Sequence, residues 1–187
     1  NANIPNIIIN EAKSLYSIIS KTKISRGSNR KGIIAACVYF ACKECEVPRS
    51  SKEIADIFDI DSTIMTKGVK KCQEIIFMNK KNKLRLTKSP SIQPSDFIER
   101  FCNKLNVDED SIKEIIRICK TSISENIISE NTPPSIAAGC IFYFIKKNQI
   151  DRSEKISKKD ISTICKISEV TINKCTKKLE SHEHLFK

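Results

Sequence analysis

The 187-residue sequence predicts an all-α protein made of two tandem copies of one helical domain. Three observations carry that expectation. Only four Gly and six Pro are present to build the tight turns of a many-stranded fold. Lys, Ile, Leu and Glu recur at helical spacings along the chain. The third observation is an internal repeat. "GIIAACVYFACKECEVPR" at 32–49 lies over "SIAAGCIFYFIKKNQIDR" at 135–152 with a constant offset of 103, pairing Ile33 with Ile136, Ala35 with Ala138, Cys37 with Cys140 and Arg49 with Arg152. After an insertion at 154–156 the register resumes at an offset of 107, so Ile54, Ile57, Ile60 and Met65 meet Ile161, Ile164, Ile167 and Ile172. A repeat of this length means two copies of a domain, because a solenoid has a shorter period.

The elements follow from caps and apolar periodicity. In the first copy, 5–20 reads as a helix. The stretch 29–46 reads as a second, apolar on almost every face and therefore central, with Pro48 marking its exit. Ser50 and Glu53 form a capping-box pattern opening a short helix to Phe58, and Asp61 or Ser62 caps a longer Lys-rich helix to about Met78. "KKNKLRL" at 80–86 is the link. In the second copy Ser95 or Asp96 caps a helix to Leu105, followed by helices at about 108–124, 133–149, 157–164 and 169–180. This gives a first domain over 1–80, a linker over 81–94 and a second domain over 95–187. The second copy has five helices and the first four, so the counterpart of 95–105 is expected before Asn1, in a longer protein.

Thirty-three Lys and Arg against 22 Asp and Glu give a formal charge of +11, which favours an anionic partner such as nucleic acid through counterion release. No apolar run reaches the roughly 18–20 residues of a membrane span, so no membrane partner is expected. The nine cysteines, an odd number, do not resemble a paired disulfide framework, which fits a reducing compartment. Cys37, Cys42 and Cys45 show a C-x4-C-x2-C spacing. They sit inside a continuous apolar helix, however, and only Cys37 recurs in the second copy, so we read them as core residues and expect no metal or other cofactor here. His182 and His184 are isolated near the end and are expected to be exposed. No paired carboxylates, Cys/His pair or Gly-rich phosphate loop occurs at usable spacing, so no enzyme is expected.

In both copies the last two helices form a short helix, a tight turn and a longer helix, at 50–78 and 157–180. In a helix-turn-helix the first residues of the second helix enter the major groove while its basic flank follows phosphates. In the second copy these are Glu169, Val170, Thr171 and Asn173, with Lys174, Lys177 and Lys178 behind them. In the first they are Ser62, Thr63 and Thr66, with Lys67, Lys70 and Lys71.

"NRKGIIAACVYFACKECEVPRSSKEIADI" and "TPPSIAAGCIFYFIKKNQ…KKDISTICKISEVTINK" resemble the two cyclin-like repeats of the transcription factor IIB family. "SDFIERFCNKL" resembles the helix opening that family's second repeat, and "HLFK" the short segment after its last helix. The resemblance covers essentially the whole chain, and its most specific element is "VPRSSKEI" at 47–54. It implies two cyclin-like repeats in a monomeric, non-enzymatic nuclear initiation factor. Such a factor grips the TATA-binding protein on promoter DNA, touches DNA on both sides and positions RNA polymerase II. It also implies a zinc ribbon in an N-terminal part not contained in this sequence.

By the same resemblance, Arg26, Gly27, Ser28, Asn29 and Arg30, with Lys31, match a loop near the minor groove, and Val170 matches an apolar base contact. Asn173 stands where many members place a base-reading Arg. Arg49, Lys67, Lys70 and Lys71 are expected to face the TATA-binding protein, while Ser62, Thr63 and Glu74 replace residues that are commonly basic. The polymerase III branch and the archaeal homologues share the repeats, so the branch stays open between these, a divergent viral factor and the polymerase II factor. A true cyclin, which activates a kinase, shares the doubled fold, but "VPRSSKEI" and the basic excess speak against it.

Overall fold

A computed structural model of the chain describes residues 4–22, 24–78, 91–148 and 156–186. The expected link at 80–86, the part of the linker from 81 to 90, Arg152 and residues 154–155 of the insertion lie outside the described residues. Among the described residues every regular element is helical: α1 (Asn6–Thr22), α2 (Gly27–Glu44), α3 (Ser51–Ile57), α4 (Ser62–Met78), α5 (Ser95–Lys104), α6 (Glu109–Ser124), α7 (Pro133–Asn148), α8 (Lys158–Cys165) and α9 (Glu169–Glu180), then a 3-10 turn (Glu183–Phe186). They fall into two compact units, Asn1–Ser91 and Ile92–Lys187. Each expected helix is present, and α1 to α4 correspond in order to α6 to α9.

In the first unit α2 is the hub, packed on α1, α3 and α4. Its nearly all-apolar sequence is explained by that position: Ile33, Ala35, Ala36, Cys37, Ala41 and Cys42 are all buried. The stripe Ile8, Ala12, Leu15 and Ile19 of α1 closes one side, and each fully buried Ile or Leu contributes about 1.5–3 kcal/mol relative to exposure. In the second unit α7 plays the same part, packed on α5, α6, α8 and α9. The α5 helix covers the side formed by α6, α7 and α8 through Phe97, Ile98, Phe101 and Cys102. The corresponding elements of the first unit leave an open apolar groove of about 460 Å³, lined by Ile9, Tyr16, Ile34, Val38 and Phe58 among others.

The helix boundaries differ from expectation by up to two residues, with α1 running on to Thr22 and α2 ending at Glu44, and two helix starts are built differently. The second helix starts at Gly27 and not at Asn29, because Gly27 accepts a left-handed backbone (φ 57°) and the Arg26 carbonyl takes the Arg30 N–H at 3.4 Å. Neither Ser95 nor Asp96 caps α5. Pro94 is already in the helical region (φ −58°, ψ −33°), so Asp96 lies within the first turn and its carboxylate accepts the Gln93 N–H at 2.8 Å.

The cysteines are core residues. Cys37 and Cys42 are buried on α2, and Cys45 is half-buried at its C-cap. Burial and the neighbouring Cys72 thiol push the Cys37 thiol far up, with the hydrogen bond to Cys72 the larger cause. In the second unit Cys140, the counterpart of Cys37, is likewise raised, first by its hydrogen bond to Cys119 and then by burial. Burial pushes the Cys102 thiol up to about 12. His182 and His184 are exposed.

Of the terminal "HLFK" segment, Lys187 lies outside the described residues, and the turn Glu183–Phe186 docks onto its own unit. Phe186 is buried against Tyr143 (ring centroids 5.5 Å apart), its carbonyl accepts an Arg117 N–H at 2.7 Å, and Lys147 pairs with Glu183 at 2.7 Å.

Candidate nucleic-acid interface

Each unit ends in a helix-turn-helix whose construction is legible atom by atom. In the first, Ser50 Oγ accepts the Glu53 N–H at 3.2 Å while Glu53 Oε2 accepts the Ser50 N–H at 2.9 Å, the expected capping box. The second repeats it with Ser157 and Asp160, at 3.2 and 2.8 Å. The sequence signal, Ser followed three residues later by an acid, was there, but with Asp where Glu or Gln is the usual partner. The turn between the helices contains a left-handed residue at the same place in each unit, Asp59 (φ 47°) and Lys166 (φ 58°). Asp61 Oδ1 then accepts the Thr63 N–H at 2.6 Å to start α4, and Ser168 Oγ accepts the Thr171 N–H at 3.2 Å to start α9. Hydrogen bonds from the Thr63 hydroxyl and then the Thr63 N–H hold the Asp61 carboxyl below its ordinary value. Those from the Ser157 hydroxyl and then the Ser157 N–H do the same for Asp160.

The second helix of each pair is held by its inner face. On α9, Ile172, Cys175, Thr176 and Leu179 are buried. At 100° per residue the opposite arc is Val170, Lys174 and Lys177, with Asn173 on its flank. Val170 is 63% exposed. Lys174 and Lys177 are exposed and Asn173 is half-buried. On α4 the equivalent arc is Thr63, Lys67 and Lys70, all exposed, with Thr66 beside them and Lys71 half-buried. Glu74 is exposed farther along α4. Arg49 is half-buried at the entry to α3.

Several polar side chains at these positions are already engaged. Glu169 pairs with Lys158 across the turn at 3.3 Å, and Thr171 and Ser168 share a hydroxyl hydrogen bond of 2.8 Å. Lys178 pairs with Glu130. The tie from Lys158 to Glu169 was not foreseen, because its partners meet through the turn geometry and not through helical spacing.

Arg26, which ends the loop after α1, and Gly27, Ser28 and Asn29, which the sequence reading took as loop but which form the first turn of α2, face solvent. Arg26 occupies the N-cap without a side-chain hydrogen bond to the helix. Arg30 turns inward in part: its Nε donates to the Tyr16 hydroxyl at 2.9 Å, and its guanidinium lies 6.0 Å from the Tyr16 ring centroid. Lys31 Nζ stands 3.5 Å from the Asp59 carbonyl, tying this helix start to the turn of the helix-turn-helix. Ile24, 83% exposed, adds an apolar side chain that the periodicity had left unassigned, because it falls between the helical stripes.

Two units of one helical topology, each closing with a helix-turn-helix that carries an outward basic arc, define a doubled cyclin-like helical protein. The chain belongs to the transcription factor TFIIB repeat family, whose model matches residues 1–75 and 87–182. It is 36% identical to a transcription initiation factor IIB-like protein of Acanthamoeba polyphaga mimivirus, over 95% of this chain and 40% of that protein. It is 29% identical to transcription initiation factor IIB of Encephalitozoon cuniculi, over 95% of this chain and 53% of that protein. The corresponding factor of Xenopus laevis is 28% identical over 91% of this chain and 50% of its own length. The chain spans about half the length of these relatives, or less.

Proposed function

We propose that this chain is the core of a general transcription initiation factor that binds promoter DNA together with the TATA-binding protein and bridges that complex to RNA polymerase II. The observation that carries the reading is the pair of outward arcs, Lys67 and Lys70 on α4 and Lys174 and Lys177 on α9, each set on a rigid, capped helix-turn-helix. On α9 such a row of ammonium groups neutralises successive phosphates and releases their counterions, and on α4 it offers charge complementary to an acidic protein surface. The net charge of +11 supports an anionic surface as partner, and the relatives' names support transcription initiation as the setting.

Within this proposal α9 and the start of α2, Arg26 to Asn29, meet DNA, with Arg30 and Lys31 following on the helix, and Arg49, Lys67, Lys70 and Lys71 face the TATA-binding protein. The factor acts without catalysis, as a monomer, in the nucleus. The zinc ribbon expected from the resemblance belongs to the full-length protein.

Hydroxyl-radical footprinting of the full protein with the TATA-binding protein on a TATA-containing duplex tests this. The expected result is protection extending beyond the TATA-binding protein's own footprint on both flanks. A footprint no longer than that of the TATA-binding protein alone contradicts it. Capture of RNA polymerase II by the ternary complex, or of another polymerase in its place, decides which branch of the family the chain serves.

A further inference from the structure

We propose that Glu130 is an internal mask on α9: it neutralises Lys178, so that α9 meets phosphates with Lys174 and Lys177 alone and its grip on DNA is held below what its lysines could supply. The inference rests on the reading of α9 as a DNA-contacting helix and goes beyond it by naming the residue that limits that contact. Three observations carry it.

The first is where the pair sits. Lys178 follows Lys174 by four residues, so its side chain lies one turn further along the same exposed side of α9. Its ammonium is held by the carboxylate of Glu130, which comes from the stretch 125–132 between α6 and α7. An ammonium with a carboxylate against it presents a dipole and not a net charge. It neutralises no phosphate and releases no counterion.

The second is that Glu130 is presented from an anchored backbone, while the pair itself is open to water. Ile127 and Ile128, just before Glu130, are buried in the core of the second unit. Just after it, the Asn131 amide donates to the Ile128 carbonyl at 3.3 Å, and the Thr132 and Ser135 hydroxyls share a hydrogen bond of 2.8 Å. The side chains of Lys178 and Glu130 are 48% and 55% exposed. A pair in that setting contributes little to folding, so removing the carboxylate frees the ammonium at little cost to the fold.

The third is the contrast between the units. By the registers of the repeat, offset 103 at the hub helices and 107 at the helix-turn-helix, Lys178 corresponds to Lys71 and Glu130 to Gly27. Where the second unit places a carboxylate, the first has glycine beside Arg26. The shared fold therefore does not require the acid, and the mask belongs to the second unit alone.

The test is titration of the full protein onto a TATA-containing duplex with the TATA-binding protein, at several salt concentrations. The variants are Glu130→Gln, Lys178→Gln, the two combined, Lys174→Ala, and Glu125→Gln as a control for the loss of one exposed acid from the same stretch. Each is first checked for an unchanged unfolding midpoint. Glu130→Gln should tighten the ternary complex by about two- to fivefold at low salt and steepen the fall of log affinity with log salt by about 0.9, the signature of one added phosphate contact. In the Lys178→Gln background the same change should leave the slope as it was. An effect of Glu130→Gln no larger than that of Glu125→Gln overturns the inference, and so does a steeper slope that persists without Lys178. If binding is still weakened by Lys174→Ala in either case, the DNA-contact reading of α9 stands. Binding indifferent to Lys174→Ala, or absent altogether, overturns both.

Discussion

Gly68 on α4 faces Gly32 on α2 so closely that a β-carbon on Gly68 would stand 2.2 Å from the Gly32 carbonyl oxygen. The two helices cross backbone on backbone, and this crossing sets the direction in which Lys67 and Lys70 point. In the second unit the close crossing is displaced along the hub helix. Gly139, the counterpart of Ala36 and not of Gly32, meets Cys175, the counterpart of Gly68, and a β-carbon on Gly139 would lie 2.4 Å from the Cys175 β-carbon.

Gly68→Ala should therefore destabilise the first unit, although alanine favours a helix. The obstacle is a carbonyl on a rigid helix, so α4 must move away, at a cost of about 1–3 kcal/mol. Urea unfolding followed by circular dichroism would show a lowered midpoint for Gly68→Ala. An unchanged midpoint would mean that the crossing is looser than the backbone geometry states.

Much of this arrangement was legible in the sequence, and the reasons are physical. The repeat, the two hub helices and the capping box at Ser50 announce themselves through local spacing, which a single chain records. The Gly32–Gly68 crossing is not local. Glycine within a helix reads only as a weakness until its neighbour across the crossing is known. The Lys158–Glu169 tie and the inward turn of Arg30 onto Tyr16 were hidden for the same reason, and Pro94 defeated the cap expected at Ser95 or Asp96 because its fixed φ already suits a helix.

Lys174→Ala should weaken DNA binding on every sequence and reduce the slope of log affinity against log salt by about 0.9. The group lies on the outward arc of α9, so protein stability should be unaffected. Titrations at several salt concentrations on two unrelated flanking sequences check this, and a loss confined to one sequence would assign Lys174 to base reading.

Native thiol labelling should find Cys45 first. It is half-buried at the end of α2, whereas the other eight cysteines are buried. The raised Cys37 and Cys140 thiols hold little reactive thiolate at neutral pH. Mass spectrometry after brief alkylation should show one modified site, and additional sites only as denaturant is added. Rapid modification of Cys37 or Cys140 in the native protein would contradict the packing described.

Acid should loosen the two helix-turn-helix units through their caps. The carboxyls of Asp61 and Asp160 are held below the ordinary value of 3.8 in the folded chain. Their contribution is present in full above that value and is lost as the pH falls through the depressed folded values. The share of the acid-induced fall in thermal midpoint that these caps supply should come below about pH 4, and Asp160→Asn should make the fall shallower there. Identical pH profiles for the variant and the wild type would remove Asp160 from the account.

The most direct measurement of the central claim is a gel-shift titration of this protein on a TATA-containing duplex, with and without the TATA-binding protein, at two salt concentrations. The account predicts a ternary complex that forms only when the TATA-binding protein is present and weakens as salt rises. Tight binding that does not need the TATA-binding protein, or no complex under either condition, would contradict it.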